Sequence, residues 1–148
     1  MKSEPHVYSI EDLEKDGSTY WDGVRNYQAR NLMRDKMKVG DPVLFYHSNT
    51  KPTGVVGVAT VVEDAYPDHT SWDADSRYFD PKSSPATPRW FMVDIAFEEK
   101  FQDIVTLDQI RDEPRLGEMV LVRRSRLSIQ PVATDEFELI VKLGRERA

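Results

Sequence analysis

The sequence predicts an α+β fold, a mixed or antiparallel β-barrel with short helices around it. Three observations carry this expectation. Residues 43–48 and 55–62 are runs of β-branched and aromatic residues, joined by the turn-forming Asn49-Thr50-Lys51-Pro52-Thr53-Gly54, which together read as a hairpin. Residues 90–101, opening Trp90-Phe91-Met92-Val93, form a third such run. The helical stretches between them are short, and no long βαβ unit is present to build a parallel sheet.

Each element has its own justification. Ser9 is placed to cap a helix with Asp12 at the third helical position, and Gly17 to end it. Residues 18–23 read as a loop. A second helix is expected from Asn26 to about Lys38, because Ala29, Met33 and Met37 recur every four residues with Leu32 beside them; Gly40-Asp41-Pro42 closes it. Residues 63–89 carry Pro67, Pro81, Pro85 and Pro88 among aspartates, with Tyr66, Trp72, Tyr78 and Phe79 interleaved. This reads as a long ordered loop that packs back on the domain, and a loop of that length tends to be functional. Thr106 and Gln109 form a capping box for a helix that stops before Pro114. Residues 126–132 alternate like a strand. Thr134 is expected to cap a last helix over 135–143, ended by Gly144.

Composition excludes several function classes. The 148 residues fit a single domain, 1–148, large enough to bury a core without a staple. Cysteine is absent, which removes disulfide frameworks, thiol nucleophiles and thiolate metal sites. His6, His47 and His69 lack metal-ligand spacing, so neither metal nor cofactor is expected. No nucleophile elbow, phosphate-cradling glycine loop or dinucleotide fingerprint occurs. No apolar run approaches the roughly 18 residues of a membrane span, and no signal-like segment opens the chain, so a cytoplasmic protein without membrane contact is expected. The net charge of −6 argues against a nonspecific nucleic-acid coat but permits a pocket with a local basic patch.

Three constellations could carry chemistry. The segment Trp21-Asp22-Gly23-Val24-Arg25-Asn26-Tyr27-Gln28-Ala29-Arg30-Asn31 joins aromatic faces to side-chain amides, which suit stacking on a base and reading its edge. The same residues also fit a loop anchored by a core tryptophan beside a solvated helix face. Residues 25–38 hold Arg25, Arg30, Arg34, Lys36 and Lys38 against Asp35 alone, and Arg123, Arg124 and Arg126 form a second basic cluster. Both fit phosphate contacts or an ordinary solvated surface. Tyr46, His47 and Ser48 end a strand; alternation puts Phe45 and His47 on one face, Tyr46 and Ser48 on the other. His47 is either a pocket residue or a satisfied, partly buried histidine.

The motifs Lys2-Ser3-Glu4-Pro5, Trp21 to Asn31, Val43-Leu44-Phe45-Tyr46-His47-Ser48-Asn49, Tyr78-Phe79-Asp80-Pro81-Lys82-Ser83, Pro88-Arg89-Trp90-Phe91-Met92-Val93-Asp94 and Arg124-Ser125-Arg126-Leu127-Ser128-Ile129-Gln130-Pro131-Val132 follow in the order and spacing of the EVE domain, which is also carried by the thymocyte nuclear protein family. The resemblance covers nearly the whole chain. It implies a PUA-like mixed β-barrel flanked by short helices, similar to the YTH and ASCH domains. It also implies a binding module rather than an enzyme, one that reads a modified base, with modified cytosine in DNA as the first expectation and RNA as the other polymer. The family places a strand ahead of the Lys-Ser-Glu-Pro motif, where this sequence has Met1.

From residues and resemblance together, the expected base pocket is Ser3, Trp21, Asn26, Tyr27, Asn31, Tyr46, His47, Ser48 and Trp90. Trp21 would stack, with Trp90 or Tyr27 as a second stacker. The expected phosphate rim is Arg25, Arg30, Lys51, Arg124 and Arg126. The expected partner is DNA or RNA carrying a modified base, bound by a monomer, nucleoid-associated in a bacterium or nuclear in a eukaryote. Two other functions use the same pocket: an ASCH-like enzyme acting on a nucleotide or RNA, with Tyr46, His47 and Lys51 as local acid or base candidates, and a small-ligand or protein-interaction module.

Overall fold

The structure, a computed structural model, describes residues 1–123 and 126–146. It is a mixed α+β fold built on one five-stranded sheet. The strands are β1 (Lys2–Ser3), β2 (Ser18–Tyr20), β3 (Pro42–His47), β4 (Gly54–Pro67) and β5 (Phe91–Thr106), in the order β1-β3-β4-β5-β2. β1 runs parallel to β3 and every other pairing is antiparallel. The β4–β5 register shifts at four places between Val55 and Tyr66. Bulges of this kind bend and twist a ladder. Among the described residues no ladder joins β1 to β2, so the sheet stays open.

The hairpin and the caps at Ser9, Gly17 and Thr106 form as the sequence predicts, because their determinants are local. Ser9 caps α1 (Ile10–Asp16) in a capping box with Asp12, and Gly17 ends it at φ 81°. Thr106 and Gln109 do the same for α3 (Leu107–Asp112). Asn26 caps α2, whose helical residues are Tyr27–Asp35, so the helix is shorter than the expected stretch to Lys38. Its apolar stripe buries Ala29 and Met33 against the sheet. A short α4 (Val120–Arg123) and the last helix, α5 (Thr134–Glu146), complete the set.

Strand alternation divides the core. Val43, Phe45, Ala59, Val61, Val93 and Ile95 face Ile10 and Leu13 of α1 and Met33 of α2. Leu44, Tyr46, Val55, Val58 and Val105 face the opposite way, against Ile110 of α3 and Ile140 and Val141 of α5.

Further expectations are corrected. Residues 18–20 are a strand, because β5 offers them an unpaired edge. The strand of the N-terminal motif is Lys2–Ser3 itself. β4 runs to Pro67, so the long loop begins at Asp68 rather than at residue 63. The described part of 126–132 forms no strand. Leu127 and Ile129 are buried in alternation, but the segment shares with the sheet the bond from the Lys2 N–H to the Ser128 carbonyl, at 3.0 Å, rather than a ladder. Thr134 is the first helical residue of α5, and Gly144 lies inside the helix. A β-carbon at Gly144 would sit 2.5 Å from the Phe101 ring, so glycine there allows close packing and does not end the helix.

Candidate nucleic-acid interface

A cavity of about 510 Å³ opens between β1, the approach to α1, β2 and the loop after β4. That size lies in the range of small-ligand sites. Tyr8, Tyr20, Trp21 and Tyr78 supply its aromatic surface, and Ser3, Asp22 and Arg77 are among its polar groups.

The sheet sets Trp21. Its N–H donates to the Val93 carbonyl at 2.8 Å, which extends the β2–β5 ladder by one residue. Its ring meets Phe45 at 5.5 Å and Tyr8 at 6.4 Å, both nearly perpendicular. These edge contacts hold a half-buried indole at the cavity wall. The Ser3 hydroxyl donates to the Tyr8 carbonyl at 2.6 Å, and the Tyr8 hydroxyl donates to Asp16 at 2.8 Å. Burial, then the bond to Asp16, pushes the Tyr8 phenol up to about 12, so it stays protonated.

The next residues tie the cavity to the long loop. Gly23 has φ 81°, and a β-carbon on it would lie 2.6 Å from the Tyr78 ring. Both the backbone conformation and the close approach require glycine. The Gly23 N–H donates to Asp68 Oδ2 at 2.9 Å. Arg25 uses all five guanidinium N–H groups. Nε and Nη2 donate to the Tyr78 carbonyl, Nη1 to Asp68 and the Val24 carbonyl, and Nη2 again to Thr70. Arg25 thus borders the cavity but has no donor left for a phosphate.

The other expected pocket residues scatter. Asn26 spends its side-chain oxygen on the Ala29 N–H as the cap of α2. Asn31 is exposed and accepts from Arg30. Tyr27 is exposed and stacks on Trp90 at 4.8 Å, with the Arg30 guanidinium 4.8 Å from its own ring. Trp90 is buried outside the cavity, its Nε1–H donating to Asp80 at 2.7 Å. Tyr46 and His47 point to opposite faces, as alternation requires. Tyr46 lines a second cavity of about 420 Å³ on the α5 side of the sheet, with Leu44, Leu121 and Phe137. His47 is buried and its Nε2 accepts the Ile10 N–H at 3.1 Å. Burial also lowers its pKa, so it is a neutral helix-capping histidine. The Ser48 N–H donates to the Ser3 carbonyl, and Ser48 lies outside the cavity lining.

Of the expected rim, Arg30 commits three N–H groups to Asn31 and the Arg89 carbonyl, while Lys51 and Arg126 are exposed outside the lining. Arg124 lies outside the described residues. The cavity therefore keeps Ser3, Trp21 and Arg25 from the sequence expectation, and adds Tyr8, Tyr20, Asp22, Arg77 and Tyr78. Tyr20 and Asp22 flank Trp21 in the sequence, and Tyr78 belongs to the aromatic set of the long loop, so those signals were legible.

The EVE domain family matches residues 1–143. The chain belongs to the EVE domain family. Human thymocyte nuclear protein 1 is 40% identical over 162 residues, spanning 97% of this chain and 72% of that protein. Among solved structures, a hypothetical protein from Leishmania major is 48% identical with a TM-score of 0.95, covering 99% of this EVE domain and 93% of that chain. Human THYN1 protein, solved in complex with 5-methylcytosine containing DNA, is 40% identical with a TM-score of 0.91, covering 97% of this chain and 95% of that one.

Proposed function

We propose that this EVE domain is a DNA-binding module that reads a modified cytosine by taking the base into the Trp21 cavity. The observation that carries the reading is a ligand-sized cavity walled by Trp21 and three tyrosines. The similarity to human THYN1 protein, solved with 5-methylcytosine containing DNA, supports it. Flipping a base out of a duplex costs a few kcal/mol, and aromatic stacking of about 1–3 kcal/mol per base offsets that cost. We assign Ser3 and Trp21 to the base, and Arg77, Arg30, Lys51 and Arg126 to the flanking phosphates.

The reading is of a binding module. His47 is spent on the Ile10 N–H and Tyr46 faces the other side of the sheet, so neither is placed as an acid or base at the cavity. We take the open, bulged sheet as a PUA-like barrel, the chain as one domain acting as a monomer, and its location as wherever its DNA lies.

The test is fluorescence anisotropy with duplexes differing only in one 5-methylcytosine. Wild type should prefer the modified duplex. Trp21→Ala should weaken that binding about tenfold or more, with an unchanged circular dichroism spectrum. Equal binding of both duplexes by wild type overturns the reading.

A further inference from the structure

We propose that the Asp22 carboxylate accepts a hydrogen bond from the exocyclic amine of the bound base, so that the cavity selects cytosine over thymine. This deepens the base-reading function and rests on it.

Asp22 lines the cavity between Trp21 and Gly23 and is half-buried. Two donors close by in sequence, the Gly23 N–H and the Arg25 guanidinium, go to Asp68 instead, at 2.9 and 3.0 Å. Among the described residues, the group that bonds to the Asp22 carboxyl is its own backbone N–H. A carboxylate offers about four lone-pair positions, and one backbone donor leaves a half-buried carboxylate under-satisfied. The titratable groups around it are Asp68, Arg25 and His69, of which Asp68 and Arg25 are paired with each other. Burial first, and the Asp68 charge next, raise the Asp22 pKa above the usual carboxylate value. The site thus holds an acceptor with lone pairs still to fill, beside an indole placed to stack.

The chemistry of the ligand completes the argument. Cytosine carries an amine at C4, and thymine carries a carbonyl oxygen there. The amine would satisfy Asp22, whereas the carbonyl would set two acceptors against each other, so one side chain both attracts and rejects. This matters for 5-methylcytosine because thymine bears the same methyl group. A pocket that sensed only the methyl could not tell them apart.

The test uses duplexes identical except for 5-methylcytosine, cytosine or thymine at one position opposite guanine, read by fluorescence anisotropy. The thymine mismatch flips more easily, which biases the assay against the proposal. Wild type should bind 5-methylcytosine about tenfold tighter than thymine or better. Asp22→Asn should bring that ratio to within about threefold, since an amide can donate to the carbonyl as readily as accept from the amine. Asp22→Ser is the second variant, and thermal melts check that both fold. If both variants keep the wild-type ratio, the proposal is overturned. If wild type prefers 5-methylcytosine over cytosine but not over thymine, the role of Asp22 falls and base reading stands. If wild type prefers neither, both fall.

Discussion

Arg25 and Asp68 are 43 residues apart in the chain, and Arg25 Nη1 lies 3.0 Å from Asp68 Oδ2. The Asp68 side chain is fully buried, and its carboxyl also accepts from the Gly23 N–H and from the Thr70 N–H and hydroxyl. This pair joins the segment that positions Trp21 to the loop that carries Tyr78. The arginine of the Trp-Asp-Gly-Val-Arg motif is therefore a strut of the cavity wall.

Breaking that strut should cost stability. Arg25→Ala leaves a buried carboxylate without its cation, a loss of about 3–5 kcal/mol. Arg25→Lys should rescue little, because an ammonium cannot span Asp68, Thr70 and the Tyr78 carbonyl at once. Urea denaturation measures the loss, and limited proteolysis should cut Arg25→Ala within residues 68–90. A variant as stable and as protease-resistant as wild type would show that the pair is dispensable.

The two tryptophans of the binding expectation should separate by experiment. Trp90 is buried, stacked on Tyr27 and bonded to Asp80. Trp90→Ala should therefore cost about 3–5 kcal/mol in stability. Trp21 is half-buried at the cavity, so its removal should act mainly on binding. Chemical denaturation of both variants checks this, and a larger loss at Trp21 than at Trp90 would reverse the two roles.

What was legible in the sequence is what short stretches decide. Ser9 with Asp12, and Thr106 with Gln109, are capping boxes closed within four residues, so pattern alone finds them. The hairpin follows from two β-branched runs and one turn. Residues 18–20 were not legible as a strand, because their pairing comes from Ala96, Ile95 and Asp94 far along the chain. Residues 126–132 misled in the opposite sense: Leu127 and Ile129 are buried in alternation without a ladder beside them. The candidate site divides the same way. Trp21 stood out by type, but Asn26 and Asn31 have side chains that suit a base edge equally well to a helix cap or an arginine. The unfilled lone pairs of Asp22 depend on Asp68 drawing away the Gly23 and Arg25 donors, which no local pattern contains.

His47 makes stability depend on pH. Its Nε2 must be unprotonated to accept the Ile10 N–H, and burial lowers its pKa from the ordinary value of about 6.5. Glu11 and Asp12 oppose that shift and Lys100 adds to it. The unfolded chain then binds the proton more readily than the folded one, so stability rises with pH through the window below about 6.5 and is lost as pH falls through it. Thermal melts between pH 7.5 and 5 should show this slope, and His47→Gln should flatten it. An identical slope in His47→Gln would assign the pH dependence to other groups.

Salt dependence separates cations that touch DNA from cations used inside the protein. With a net charge of −6, unmodified DNA should bind weakly at physiological salt, so any steep salt response must come from local cations. Arg77 is exposed at the cavity, 5.0 Å from the Tyr78 ring centre, and Arg126 is exposed in the segment that runs beside β1. Arg34 instead lies against Asp35 through two bonds, at 2.8 and 3.0 Å, so most of its charge is already answered. Titrating salt from about 50 to 200 mM against a 5-methylcytosine duplex, Arg77→Ala and Arg126→Ala should each reduce the slope of log affinity on log salt by about one. Arg34→Ala should leave it nearly unchanged. Affinity for cytosine and 5-methylcytosine duplexes should fall together in the first two variants, because phosphate contacts carry no base information. If neither slope moves, the phosphates lie along Arg30 and Lys51 rather than Arg77 and Arg126, and the Tyr27–Arg30 stack beside Arg89 is the next surface to substitute.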